Sequence, residues 1–365
     1  MAGLSFATGD ALAQKLWSKK VSVEALKATW VFKFIGTDDN SVIQLFDDTQ
    51  KAAGDRIRVP LRRLLTGRGV QDGSQLENNE EAMRFFSDDV LIRQLRHATR
   101  YVGRFSQQLV PFSVREHMRP ALQDWHADRI DTWFFNQIAG NAGQTDTIYT
   151  GNQTAVAADA DHLIIAGGVA GFTLSNTSTM RFSLTLIDVA VEKAKTMEVP
   201  IRPVMIGGEA KYVMFLHHFQ VTDMKGSTAT NQWFDIQKAA MQGGAVTNNP
   251  IYTGALGEYN GVILHATNRL PGFSSSAVVS QGGGSTTATG VPVIQAVLCG
   301  AQAAAMAFGR EDGPERYNWV EEYFDYKNEF GVAVDTIGGL KKLIFNGSDF
   351  ATIAVRTWAS SHSTN

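Results

Sequence analysis

Apolar and polar positions alternate most sharply between Asp55 and Leu65, where Ile57, Val59 and Leu61 interleave with Arg56, Arg58 and Arg62. Side chains on a strand point to alternate faces, so the segment predicts a strand with one apolar side and one arginine side. Pro60 has no N–H to give to a ladder, which places this strand at an edge or in a free-standing ribbon. Arg63 follows, then a turn through Thr66-Gly67-Arg68-Gly69 and an acidic stretch with Glu77, Glu80 and Glu81. A two-stranded ribbon is marginal alone in water. The pattern therefore predicts that Ile57, Val59 and Leu61 are buried by a neighbouring subunit. Arg56, Arg58, Arg62 and Arg63, with Glu77, Glu80 and Glu81, would supply the charges across that boundary.

Downstream the spacing changes to three and four. Leu91, Leu95, Ala98, Val102, Phe105 and Leu109 predict a helix that starts near Ser87-Asp88-Asp89 and ends at Pro111, with Arg93, Arg96, Arg100 and Arg104 as a second stripe. A second long helix begins at Ser113, where Ser113-Val114-Arg115-Glu116 has the spacing of a capping box. Pro120 kinks or restarts it; Leu122, Trp125, Trp133, Phe134 and Ile138 form its inner face, and Gly140-Asn141 closes it. This helix is expected to be the spine of the core. Residues 142–180 are rich in Thr, Ala, Gly and Asn and read as loops and short strands. A helix over 183–198 turns Ile187, Ala190, Ala194 and Met197 inward. Strands are expected at 204–206, 212–216 and 261–265, a short helix at Gln232–Met241, and a loop at 274–290. Residues 296–308 read as a strand passing into an alanine-rich helix. Four strands close the chain, near Trp319–Tyr326, Phe330–Ile337, Lys341–Phe345 and Ala351–Thr357. Gly207-Gly208 and Gly338-Gly339 read as hairpin turns. Ahead of the ribbon, residues 1–50 read as an arm, with helical turns around Ala11–Trp17 and Val23–Trp30 and no core of its own.

At 365 residues, with 44% hydrophobic and 19% charged positions, the chain has room for more than one domain and a substantial core. A net charge of −3 argues against a dedicated nucleic-acid binder. The single cysteine, Cys299, cannot make an intrachain disulfide and suits folding in a reducing compartment. The first residues lack a basic region followed by an apolar core, and no run approaches the 18 apolar residues of a membrane span, so neither secretion signal nor membrane insertion is expected.

Candidate chemistry is thin. Adjacent residues on a strand face opposite ways, so His217 and His218 cannot join His265 around one metal without a bulge. Asp159-Ala160-Asp161-His162 lacks the glycine and distal glutamate of a calcium loop and reads as a solvated turn. Phosphate-loop and nucleophile-elbow spacings are absent, and Cys299 sits in an apolar run that suggests burial. No catalytic constellation, metal site or cofactor is expected. For Arg93, Arg96, Arg100 and Arg104, pairing with acidic groups of another subunit ranks ahead of simple solvation and of nucleic-acid contact.

Several blocks, in order, resemble the major capsid proteins of tailed bacteriophages, in particular the podovirus-type family. They are Gly54-Asp55 with the ribbon and Leu76-Glu77-Asn78-Asn79-Glu80-Glu81-Ala82; Ile201-Arg202-Pro203-Val204 and Gly207-Gly208, leading to Tyr212–His218; Asn249–Gly257 with Tyr259–His265; Leu298–Ala303; and Gly339–Leu343 with Phe345-Asn346 and Ser348-Asp349-Phe350. The resemblance implies an α+β chain with the capsid fold shared by tailed phages and herpesviruses. Residues 1–50 would be an N-terminal arm, 51–86 an extended hairpin loop, and 87–182 a peripheral domain with spine helix and insertion. Residues 183–316 would form an axial α/β domain, and 317–365 strands returning to the peripheral domain. It further implies a non-enzymatic subunit that self-assembles into the hexamers and pentamers of an icosahedral head. The expected partners are other copies of itself, then decoration, portal and scaffolding proteins; double-stranded DNA would be enclosed without specific binding. Such a protein folds in the bacterial cytoplasm and ends in the virion. Two rivals stay open: a nucleic-acid-binding protein using the 93–104 arginines, and a hydrolase with an unrecognised site. The capsid reading expects the four arginines to be paired with carboxylates, leaving a neutral or acidic inner surface.

Overall fold

The computed structural model describes residues 29–46, 56–62, 65, 67–72, 75–101, 103, 108–109, 113–168, 174, 177–226, 257–273, 293–309 and 316–359. The helical turns expected around Ala11–Trp17 and over 23–28, the helix at Gln232–Met241 and the loop at 274–290 lie outside these residues. A 3-10 turn (Trp30–Phe34) leads into β1 (Ile35–Gly36) and β2 (Ile43–Phe46). The ribbon is β3 (Arg56–Arg62) with β4 (Phe85–Leu91), and β5 (Arg93–Tyr101) follows. Helix α1 (Val114–Ile138), β6 (Leu163–Ile165) and α2 (Leu184–Thr196) come next, then β7 (Val204–Ile206), β8 (Glu209–His217) and α3 (His218–Gly226). Short strands β9 (Gly257–Tyr259), β10 (Val262–Thr267) and β11 (Gly272–Phe273) precede β12 (Val293–Cys299) and β13 (Ala304–Gly309). The chain closes through β14 (Tyr317–Phe324), β15 (Glu329–Lys342), β16 (Ile344–Phe345), β17 (Ser348–Asp349) and β18 (Thr352–Trp358).

Every residue of β12 and of β18 is buried. Strands covered on both faces carry near-continuous apolar sequence, and these two lie inside an eight-stranded sheet ordered β6-β18-β12-β8-β10-β9, with β7 on β8 and β11 on β12. Two of the polar exceptions answer each other. Arg356 Nε donates to Gln295 Oε1 at 2.9 Å, and Gln295 Nε2 donates to the Ala139 carbonyl at 2.7 Å, tying the end of α1 to the sheet. Gly140, with φ +62°, turns the chain there.

The other large sheet is built on β15, 14 residues long. β13 pairs with its second half, while β14 and β5 pair with its first half. β2 runs parallel to β13, with Ile43 opposite Ala304. Met118 and Leu122 of α1 pack against Tyr317, Trp319, Phe330, Val332 and Val334 of this sheet. The far end of α1 sends Trp133, Phe134 and Phe135 into the main core beside Phe215 of β8.

Several expectations change in the structure. The segment 87–101 is not a helix but β4 and β5; extended pairing with Phe330–Gly338 gives β5 a ladder partner at all nine positions, which outweighs a helical stripe whose only fully buried member on β5 is Leu95. Helix α1 runs unbroken through Pro120, and the Ser113 side chain makes no cap hydrogen bond, so the capping box does not close. Residues 304–309 form a strand, because alanine is what fits between closely packed neighbours in β13. The described part of the arm has no core of its own, as expected, but it is not free either: it packs into the main core. Val31, Phe34, Val42 and Ile43 are buried, and the Asp131 carboxylate of α1 accepts from the N–H groups of Trp30 and Val31, both at 3.1 Å. Burial pushes that carboxyl up to about 6, against the pull of the two amides and of Arg269. Finally, β18 joins the eight-stranded sheet beside β12, away from β14 and β15, so the described residues 317–359 contribute to both large sheets.

Gly338-Gly339 is likewise no turn; it lies within β15. A Cβ on Gly339 would collide with the Leu91 carbonyl oxygen, and one on Gly151, at φ +73°, with that of Leu340. Asn152 Nδ2 donates to the Gly338 carbonyl at 2.7 Å, and Leu340 N to the Gly151 carbonyl at 3.2 Å. Three stretches of backbone therefore cross where only glycine leaves space. Replacing Gly339 with Ala is expected to destabilise the unassembled subunit by about 3 kcal/mol or to prevent folding. Gly226→Ala, which meets open space, should stay within about 0.5 kcal/mol of the parent in urea unfolding.

Candidate functional site: exposed assembly surfaces

The ribbon's root belongs to its own subunit. β3 and β4 pair from Arg56↔Leu91 to Arg62↔Phe85, and among the described residues they pair only with each other. Val59 is 4% exposed and packs with Val90, Ala305, Ala307, Leu343 and Phe345; Ile57 and Leu61 are partly buried against the same cluster. Val59, expected to be covered by a neighbour, is covered by its own sheet instead, because small residues on β13 let it lie there; Ile57 and Leu61 keep part of their surface. Polar bonds reinforce the seat. Asp88 accepts from Lys341 Nζ and from Ile344 N, the latter at 3.0 Å. The predicted arginine side is as expected, with Arg56, Arg58 and Arg62 exposed. Arg58 Nε lies 2.9 Å from Asp89 Oδ1 across the ribbon, and this hydrogen bond holds the Asp89 carboxyl below its ordinary range.

Beyond the root, the described part of the connecting loop lies almost wholly in solvent. Glu81 accepts from Gly67 N at 2.5 Å, and Asn79 N donates to the Leu76 carbonyl at 3.0 Å. Glu77 and Glu80 are exposed, and Arg63 lies outside the described residues. The apolar side chains of the loop and of the ribbon's last paired position are exposed too: Leu65 by 61%, Leu76 by 63%, Met83 by 54% and Phe85 of β4 by 64%. Sequence reasoning passed over these four because they follow no period. Their signal was isolation: large apolar residues set among charges where no regular element could bury them.

The arginine stripe is divided. Arg93 lies on the face of β5 that carries Leu95 and His97, with His97 stacked on Trp125 of α1 at 4.2 Å. Arg96 and Arg100 lie on the opposite face. Arg100 pairs with Glu329 and sits 4.3 Å from the Phe324 ring centroid. Arg93 and Arg96 are exposed, with no ion pair among the described residues, and Arg104 lies outside them. Pairing of all four is therefore not what these residues do within one subunit.

A family profile described as phage capsid protein matches residues 5–361. The chain belongs to that family. The major capsid protein of Pseudomonas phage KPP25 is 27% identical over 367 residues, covering 93% of each chain. The capsid of Ralstonia phage GP4 is 32% identical with a TM-score of 0.78 over all of both chains. The cyanophage Pam1 capsid, at 20% identity and a TM-score of 0.70, shares the fold over 98% of this chain and 99% of its own. The molecule is thus an α+β phage capsid subunit with a tailed-phage capsid fold, and its place is the virion shell.

In this capsid subunit the remaining polar clusters are structural. His217 and His265 are buried, and burial, with His218 or Lys33 nearby, lowers each to about 4. His265 packs among Trp30, Phe34 and Phe215. Burial pushes the Cys299 thiol up. Asp159 is no solvated turn. It accepts from His162 N at 2.7 Å, His162 Nδ1 at 2.8 Å, Ser348 Oγ at 2.7 Å and Asp349 N at 3.0 Å, stapling the 142–180 insertion to β17. Nearby, Lys342 Nζ reaches Asp349 Oδ1 at 2.7 Å in a fully buried pair.

Partial burial alone would raise the Asp159 carboxyl; the hydrogen bonds outweigh it and hold it at about 2. A depressed carboxyl stabilises the fold fully above its ordinary value near 3.8, and the contribution disappears as pH falls toward 2. Asp159→Asn is expected to cost on the order of 1–2 kcal/mol at neutral pH, after discounting for solvent exposure. Urea midpoints followed from pH 5 down to pH 2 should converge for parent and variant; a constant gap would refute the assignment.

Proposed function

We propose that the chain is the repeating subunit of an icosahedral phage head, assembling as hexamers and pentamers around double-stranded DNA, and that its ribbon grips a neighbouring copy by the tip. The observation that carries this is the contrast along one element. The root, at Val59 and Val90, is sealed against its own sheet, while Leu65, Leu76, Met83 and Phe85 stand in solvent at the far end. A rigidly seated ribbon with an apolar, unburied end has its partner outside the subunit. Exposed Arg56, Arg62, Glu77 and Glu80 supply both signs of charge around that end, which favours register and specificity over raw affinity.

The subunit needs no catalytic group for this role, and among the described residues no cluster of three His, Cys, Asp or Glu is placed to hold a metal. Nucleic-acid binding through the 93–104 segment is the weaker reading. The arginines are split over two faces of β5, Arg100 is already paired, and the net charge is −3. Decoration, portal and scaffolding proteins are the further partners such a shell would recruit.

The double variant Met83→Asp with Phe85→Asp should remain soluble and melt as the parent does, since exposed substitutions shift stability by no more than about 0.5 kcal/mol. It should form no shells in sedimentation or negative-stain images. Val59→Asp should behave differently. A charge buried in its own chain unfolds the subunit before assembly is reached. Normal shells from the double variant would refute the tip contact.

A further inference from the structure

Lys342 ends β15 and Asp349 ends β17, and both side chains are sealed inside the subunit, 1% and 3% exposed. Lys342 Nζ lies 2.7 Å from Asp349 Oδ1 and donates to the Val156 carbonyl at 3.0 Å. Among the described residues the Asp349 carboxylate receives nothing else: its second oxygen, Oδ2, is buried with no hydrogen-bond partner. A buried ion pair recovers its desolvation cost only when the remaining lone pairs are satisfied. This pair leaves one oxygen unheld, which makes it a costly way to join two strands. Burial holds the Asp349 carboxyl above its ordinary range, against the pull of Lys342, and the charge of Asp159 adds to the rise.

The two side chains are also held still. Between them the chain turns through Asn346 and Gly347, at φ +54° and +81°, so that Ile344 pairs with Asp349 and Phe345 with Ser348. Phe350 N donates to the Leu343 carbonyl at 3.1 Å, and Asp349 N to Asp159 Oδ2 at 3.0 Å. Lys342 itself is fixed in its ladder opposite Ala304. An amine and a carboxyl group fixed in contact have a high effective concentration, and a site closed to water protects the product of their condensation from hydrolysis.

We propose that Lys342 and Asp349 condense into an amide, a covalent staple within one chain that forms without a second enzyme. A proton passes from the Lys342 ammonium to the Asp349 carboxylate, and the freed nitrogen attacks the carboxyl carbon. A C–N bond forms, and the bond from that carbon to Oδ2 breaks. Of the three ammonium protons one stays on the amide nitrogen, and two leave with Oδ2 as water, so the step needs no oxidant, activating group or cofactor. The unheld oxygen is the one that departs. The product is neutral, which removes both buried charges together. Its remaining N–H can still face the Val156 carbonyl. The staple closes a ring from Lys342 to Asp349 just before the chain enters β18. The inference concerns a single chain and stands or falls independently of the shell reading.

The test is trypsin digestion and mass spectrometry of the full-length protein, incubated folded and denatured only for digestion. Trypsin cuts after Lys341 and Arg356, and it cuts after Lys342 only where that amine is free. The amide predicts one fragment running from Lys342 to Arg356 and lighter than its sequence by one water, in place of the free 343–356 fragment. Lys342→Met yields a fragment of the same span, expected at its full sequence mass. Recovery of the free 343–356 fragment as the main product of the parent overturns the inference. So does a lost water that persists in Lys342→Met, which marks a cyclic imide at an aspartate instead. Lys342→Met leaves Asp349 without its cation; if it fails to fold, the parent digest decides alone, because an imide would leave Lys342 cleavable and the staple would not.

Discussion

The arrangement depends on one close approach of backbones. At Gly339 the chain of β15 passes directly beneath the Leu91 carbonyl, where β4 gives way to β5, and Gly151 brings the insertion against Leu340 from the same region. Without that approach the ribbon could not be seated on β13, and β5 could not pair along the first half of β15. Interiors at native packing density do not absorb a methyl group placed on a carbonyl oxygen. The glycines thus connect the ribbon, the insertion and the β15 sheet in one rigid joint.

Forces at the ribbon divide by position. At the root, apolar burial and the partly buried Asp88–Lys341 pair act within one molecule. At the tip, the described apolar side chains Leu65, Leu76, Met83 and Phe85 are exposed, with Glu77 and Glu80 beside them. This division seats one end of the ribbon on its own sheet and leaves apolar side chains exposed at the other. Exposed ion pairs such as Arg58–Asp89 add little singly, about 0–1 kcal/mol, so apolar contact has to dominate any one interface.

Much of the chain was legible where one period ruled. The alternation over Arg56–Arg62, the bulky stripe of α1, the apolar face of α2 and the glycine turn between β7 and β8 all follow directly from spacing. Failures came where tertiary contact overrode local preference. Leu91, Leu95 and Ala98 have helical spacing, yet β15 supplied a ladder that a helix could not use. The alanines of β13 are good helix formers that serve here as thin spacers under the ribbon. Gly338-Gly339 looked like a turn because sequence reveals the need for glycine but not the neighbour that creates it. Asp159 looked solvated because its partners Ser348 and Asp349 lie far along the chain. Within the candidate surfaces, the ribbon was visible in the sequence; which of its apolar residues were spoken for was not.

The place of β18 has a consequence for how the protein is made. Thr352–Trp358 lies within the eight-stranded sheet, flanked by β6 and β12, and the sheet cannot close without it. At the other end, β2 pairs locally only with the two residues of β1, and it joins the rest of its sheet through Ile43 opposite Ala304. Contacts this distant in sequence make folding slow and tie it to the whole chain. A nascent or truncated polypeptide therefore lacks a finished core and a fixed mount for its adhesive surfaces. Completion of the eight-stranded sheet waits for Thr352–Trp358, whatever order the other strands find one another in.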